Sequence, residues 1–301
     1  MGSQVDDTRE LVVLPFRSQW PVNPSWEIAK SLPSHLPAPS ASSASSSASP
    51  DKQEQNENGD DNDNDGDDFV NGRRGRSTTT AKTEVNSVVL PPVRILVHPE
   101  PLRVCYKYVH DVVPSFYDGY DNGREVDIVL HMGMSGPRPF YQLERRAHGR
   151  GYKIPDVDGQ TPDYDDDDDE GGGGEDGSLP DTLVSGLDIE DVHRRWTALC
   201  SKDMDLRISD NAGRFLCDWI YWCSLAHLVK AHRPRKVCFF HVPASASESA
   251  LAQGRELALN LIRAIAESET EASAERAGKR DGGDAEAEAG RPPGVAFKNG
   301  Q

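Results

Sequence analysis

Ile208-Ser209-Asp210-Asn211-Ala212-Gly213-Arg214-Phe215-Leu216-Cys217-Asp218-Trp219 changes character halfway along. Polar residues and a glycine come first, an apolar run follows, and Cys217 stands at the junction. Asp210 or Asn211 can cap a helix, and residues 214–232 are long and apolar enough to form one. Cys217 then falls in or beside the first turn. Unpaired N–H groups and the positive end of the helix dipole favour a thiolate there. On this stretch alone a buried packing cysteine and a nucleophile remain alternatives.

Outward from that junction, strands and helices alternate. Leu206-Arg207-Ile208 reads as a short strand before it, and residues 189–200 fit a helix before that. After it, Lys236-Val237-Cys238-Phe239-Phe240-His241-Val242-Pro243 reads as a buried strand with a histidine near its end. Residues 250–266 form an amphipathic helix, with Leu251, Leu257, Leu259, Leu261, Ile262 and Ile265 on one face. Nearer the N-terminus, Leu11-Val12-Val13-Leu14 is a strand broken by Pro15-Phe16-Arg17-Ser18. Asn23 caps a helix with Pro24 at its first position, running to Leu32. Residues 93–97 and 127–132 are further strands, and the second runs into a Gly133-Met134-Ser135-Gly136 loop. Residues 103–109 read as strand or helix, the continuation to Tyr117 favours helix, and residues 141–152 form another ordered piece. The pattern predicts one α/β domain.

The chain has 301 residues and a formal net charge of −17. Much of the negative charge sits in two stretches without core-forming residues. Residues 36–87 pass from Ala/Ser/Pro through Asp/Asn/Gly to Arg/Thr, and residues 156–178 hold an unbroken Asp165–Asp169 run and a glycine run. Both are predicted to be disordered inserts within one domain spanning 9–268, with a frayed, disordered tail over 269–301. The acidic run lacks the spaced oxygen ligands and fixed glycine of a calcium loop. Net negative charge argues against nucleic acid as a partner. No apolar run reaches membrane-spanning length. The polar N-terminus has no apolar signal region, and Asp6 stands where a myristoylation signal needs Ser or Thr. Five cysteines form neither a C-x-x-C pair nor a zinc-spaced cluster. The expectation is a soluble cytoplasmic protein with free thiols, no metal and no cofactor; its oligomeric state is not encoded in these patterns.

Cys217 and His241 form the most suggestive pair, because one begins a helix and the other ends the next strand. Both can reach the same sheet edge, where functional residues of open α/β sheets gather. A thiol nucleophile needs a base, and the base needs an orienting acceptor. Glu144, just after the 133–136 loop, is one of many acids that spacing alone allows.

Five motifs, in order, resemble the pyroglutamyl peptidase type I family of cysteine peptidases. They are Asn23-Pro24-Ser25-Trp26-Glu27, Leu130-His131-Met132-Gly133-Met134-Ser135-Gly136, the stretch from Leu143-Glu144 through His148 to Gly151-Tyr152-Lys153, Ala212-Gly213-Arg214-Phe215-Leu216-Cys217-Asp218, and Phe240-His241-Val242-Pro243. The resemblance implies a single three-layer α/β/α domain with a central mixed sheet, and hydrolysis of an N-terminal pyroglutamyl residue from peptides. It makes Cys217 the nucleophile, His241 the general base and acid, and Glu144 the residue orienting His241. It places Phe16 and Phe215 around the pyroglutamate ring and Lys153 near the oxyanion. One departure stands out: the family's strand is followed by T-G-F-G-P-F, whereas here Leu14 leads straight into Pro15-Phe16. The second reading is therefore a catalytically weak relative that binds peptides or protein partners.

Overall fold

The computed structural model describes residues 8–17, 22–38, 90–120, 126–162 and 179–289, with side chains as far as 278 in the last helix. Residues 39–87 of the first expected insert, 163–178 of the second, and the tail from 290 lie outside the described residues.

The chain forms an α/β fold around a mixed, mostly parallel sheet. Its strands are β1 (Arg9–Arg17), β2 (Val93–Val97), β3 (Leu102–Arg103), β4 (Ile128–Met134), β5 (Tyr141–Glu144), β8 (Leu206–Ser209) and β9 (Val237–Val242). The order is β2-β1-β4-β9-β5-β8, with β3 also paired to β1. Every pairing is parallel except β5 with β9. A separate antiparallel pair joins β6 (Arg146–His148) to β7 (Thr182–Val184).

Strand alternation divides the core in two. Leu11 and Val13, Leu130 and Met132, and Cys238 and Phe240 face α1 (Pro24–Lys30), α3 (Ile189–Leu199) and α5 (Glu248–Ala289). Val12 and Leu14, Val129, and Val237 and Phe239 face α2 (Tyr106–Val112) and α4 (Leu216–Lys230). Helix α3 carries one buried stripe, Ile189, Val192 and Trp196. Helix α4 is buried nearly all round, because the β6–β7 pair and α2 cover the side turned away from the sheet.

Several expectations shift in position. Pro15 does not end the first strand: β1 continues to Arg17, pairing Pro15 with Met132 and Phe16 with Leu102. Residues 102–112 split into a two-residue strand and a helix. Asp156, placed by sequence at the start of a disordered insert, is buried. Its carboxylate accepts the backbone N–H groups of Tyr106 (2.9 Å), Asp158 (2.8 Å) and Gln160 (3.0 Å), so it ties residues 156–160 to the start of α2. Helix α5 does not fray at Glu267. It runs on to Ala289, and Glu269, 4% exposed, pairs with Lys236 at 2.7 Å. No helix among the described residues is long and apolar enough to cross a membrane.

Candidate active site

Strand parity builds the site. His241 follows Val237 and Phe239 on the α4 face of β9, and Glu144 follows Gln142 on the same face of β5. In the antiparallel β5–β9 ladder Gln142 lies opposite His241 and Glu144 opposite Phe239. Glu144 and His241 are thus diagonal neighbours, a separation that long side chains bridge. The Glu144 Oε1 to His241 Nδ1 distance is 2.8 Å, with both side chains buried. The second carboxylate oxygen, Oε2, is buried with no hydrogen-bond partner among the described residues.

Helix α4 brings the thiol. Its N-cap is Phe215, in extended backbone and without a side-chain cap. This corrects the expected capping by Asp210 or Asn211. Asp210 pairs with Arg146 at 2.9 Å, and the Asn211 side chain accepts from the Gly213 N–H at 3.1 Å. Cys217 is the second helical residue and is partly exposed. Its thiol lies near enough to the His241 ring, whose Nδ1 is taken by Glu144, to favour the charged imidazole. Room for the sulfur comes from Gly133 on β4, opposite His241 in the ladder. A Cβ at Gly133 would lie 2.7 Å from the Phe239 ring and 2.9 Å from Cys217 Sγ.

Burial by itself would lower the His241 pKa. Hydrogen bonding of the ring to Cys217 and Glu144, with the pull of their charge, outweighs it and pushes the value up to about 9. The imidazolium is therefore the favoured form beside these two acidic partners. Cys223 and Cys238 are buried, and burial raises both thiols far above their ordinary range; Cys200 rises to about 11 for the same reason.

The remaining predicted residues are placed unevenly. Phe215 is partly buried and meets Tyr106 edge to face at 6.1 Å. Phe16 is 4% exposed, in the core on the α4 side, and its carbonyl accepts from Asn23 Nδ2 at 2.6 Å. Lys153 is exposed in the segment after β6. Among the described residues no hydrogen bond or ring contact joins Phe16 or Lys153 to Cys217, His241 or Glu144.

Sequence reading missed a second buried cluster beside the thiol. Asp218 is fully buried and receives the Tyr152 hydroxyl at 2.9 Å, with His148 Nδ1 at 3.2 Å and Arg214 Nη1 at 3.4 Å. The available signal was the one acidic residue of a largely apolar helix, in its first turn. A second unanticipated buried group is His131, on β4. Burial holds it neutral, down to about 3, with Nε2 at 2.8 Å from Ser224 Oγ.

Comparison with known proteins relates the chain to a family and to a fold. The family model described as pyroglutamyl peptidase matches residues 120–267. Pyroglutamyl-peptidase 1 of Rattus norvegicus is 31% identical over 147 residues, covering 48% of this chain and 61% of that protein. The Homo sapiens protein of the same name is 31% identical over 146 residues, with the same coverage. The chain thus spans about three fifths of the length of these relatives. Among solved structures, a mutant pyrrolidone carboxyl peptidase from Pyrococcus furiosus superposes with a TM-score of 0.51 at 17% identity, covering 88% of this chain and 98% of that one. The pyrrolidone carboxyl peptidase of Thermococcus litoralis gives 0.51 at 15% identity, covering 86% and 92%. The structural likeness speaks for the fold, and the sequence of residues 120–267 matches the pyroglutamyl peptidase family.

Proposed function

We propose that the protein is a cysteine exopeptidase that removes N-terminal pyroglutamate from peptides through a thioester. The observation that carries this reading is the line Glu144–His241–Cys217 at the uncapped start of α4. Cys217 Sγ attacks the exocyclic carbonyl carbon of the pyroglutamyl residue. His241 gives its proton to the leaving amine as the C–N bond breaks, which leaves a pyroglutamyl thioester on Cys217. His241 then takes a proton from water, the hydroxide displaces the thiolate, and free pyroglutamate leaves. Glu144 holds the imidazole through Nδ1 and steadies its charged form. The backbone N–H groups left without a side-chain cap at the start of α4 serve as oxyanion donors in this reading, with Lys153 as a further donor. Phe215 supplies an apolar wall for a flat, neutral lactam, and Phe16 joins it on the family resemblance alone.

One sequence feature favours the second reading, a weakly active relative that binds peptides. The T-G-F-G of the family's first loop is absent before Pro15, and one pocket aromatic goes with it.

The deciding experiment is hydrolysis of a chromogenic pyroglutamyl anilide by the full chain. The expected outcome is turnover by the wild type and a loss of at least about a thousandfold in Cys217→Ala. Turnover by Cys217→Ala at the wild-type rate removes the nucleophile assignment. A wild type that binds pyroglutamyl peptides without cleaving them supports the binding reading.

A further inference from the structure

Asp218 is the residue after the proposed nucleophile, yet it points away from the Glu144–His241 pair and into the β6 side of α4. It has no exposure to solvent. A buried carboxylate is costly unless its oxygens are satisfied, and here three side chains from two segments do so. Arg214 comes from the turn before α4, whereas His148 and Tyr152 come from the end of β6 and the segment beyond it. The Tyr152 hydroxyl also lies against the His148 carbonyl, which closes residues 148–152 into a tight turn on the helix. Gly149 lets that turn press close, since a Cβ there would lie 2.8 Å from the Trp222 ring.

Tyr152 carries the tie further. Its ring meets Trp219 edge to face at 5.2 Å and Tyr106 at 5.8 Å. Tyr106 in turn meets Trp219 at 5.8 Å and Phe215 at 6.1 Å. The backbone adds one fixed point: Trp219 Nε1 donates to the Tyr106 carbonyl at 3.0 Å. A continuous line therefore runs from the Asp218 carboxylate through Tyr152 and Tyr106 to Phe215, two residues before the thiol.

We propose that Asp218 is a positioning residue for substrate: by anchoring Tyr152, it sets Tyr106 and holds the Phe215 ring where a small flat acyl group must lie beside Cys217. The inference rests on the reading of the site as one that takes a pyroglutamyl ring. The Asp218 carboxylate is engaged by His148, Tyr152 and Arg214, so it acts on how tightly the ring is held and hardly on the chemistry of the thiol.

Three variants of the full chain test this against the pyroglutamyl anilide: Tyr152→Phe, Asp218→Ala and Asp218→Asn. Tyr152→Phe keeps the ring and removes only the hydroxyl. Tyr152→Phe and Asp218→Ala should each raise KM about tenfold, the worth of one well-placed aromatic contact, and leave kcat within about threefold. Asp218→Asn keeps an acceptor for the Tyr152 hydroxyl and should stay within about threefold of wild type in both constants. An unchanged KM in Tyr152→Phe, or a loss confined to kcat, overturns the proposal. So does an Asn variant as impaired as the Ala variant. If Asp218→Ala does not fold, Tyr152→Phe and Asp218→Asn decide. If the wild type fails to cleave the anilide, the functional reading has failed separately. The tie is then read by near-ultraviolet circular dichroism, whose aromatic band should change in Tyr152→Phe and persist in Asp218→Asn. An unchanged band in Tyr152→Phe overturns it.

Discussion

On the α5 side of the sheet, the central strands present Leu11, Val13, Leu130, Met132, Cys238 and Phe240, all at or below 1% exposure and none ionisable near neutral pH. On the α4 side, the same strands and β5 present Glu10, His131, Gly133, Glu144 and His241 among their apolar neighbours. The backbone ladders are shared, so the two faces differ only in side-chain parity. One face stabilises by apolar burial, at about 25 cal/mol per Å² removed from water. The other keeps buried charge and hydrogen-bonding capacity that packing alone would not select. On the proposed function, stability and chemistry fall to opposite faces of one sheet, and a substitution should affect one while largely sparing the other.

Glu144→Gln breaks this division most severely on the chemical face. Gln keeps the shape and can still accept from Nδ1, but it cannot steady the imidazolium. A fall in kcat of about 10³-fold or more is expected, against a stability change of about 1 kcal/mol. Steady-state kinetics and urea unfolding on the same preparation check both halves. Comparable kcat in the variant would show that Glu144 is only a packed neighbour.

Leu261→Ala is the counterpart on the opposite face. Leu261 is fully buried on α5, and truncation there should cost about 2–5 kcal/mol of stability. Measured on the folded variant at low temperature, kcat should remain within about twofold. If kcat collapses while the variant is folded, the two faces are coupled more strongly than the geometry implies.

A smaller effect should appear in pH dependence. His241 titrates near 6.5 when unfolded and at about 9 in the fold. The native state therefore holds its proton more tightly. The associated stability is fully present below about pH 6.5 and is lost as pH rises through about 9. Melting temperatures across that window should fall for wild type, and His241→Gln should remove this part of the decline. Parallel curves for the two proteins would contradict the raised imidazole value.

The smallest effect concerns the edge of the chemical face. Inserting Thr-Gly-Phe-Gly between Leu14 and Pro15 shifts Pro15 and Phe16 out of their pairing with β4 and β3 and adds one aromatic ring. KM should fall about fivefold to tenfold with kcat nearly unchanged. An unaltered KM would mean that the shortened loop does not limit ring binding.

The sequence by itself determined the alternation of strands and helices, because apolar runs of strand length and helix-period stripes are local features. It also determined the start of α1: Asn23 accepts from the Ser25 N–H at 3.0 Å as its motif predicts, and its amide holds the Phe16 carbonyl. Cys217 was legible as a residue at a helix start, and His241 as one at a strand end. Glu144 was legible only through the family motif, since periodicity does not distinguish one acid from another. What tertiary structure decided was pairing. The antiparallel placement of β5 against β9 sets Glu144 diagonal to His241, and a one-residue slip would turn Glu144 to the apolar face. Tertiary contacts also carried β1 past Pro15, whose missing N–H no local rule reconciles with a strand, because β3 and β4 take up the pairing there. Asp156 and Asp218 show the same limit. Each reads in sequence as a soluble acid, and each is buried because distant backbone or side-chain donors converge on it, an arrangement formed only when segments far apart in the chain meet.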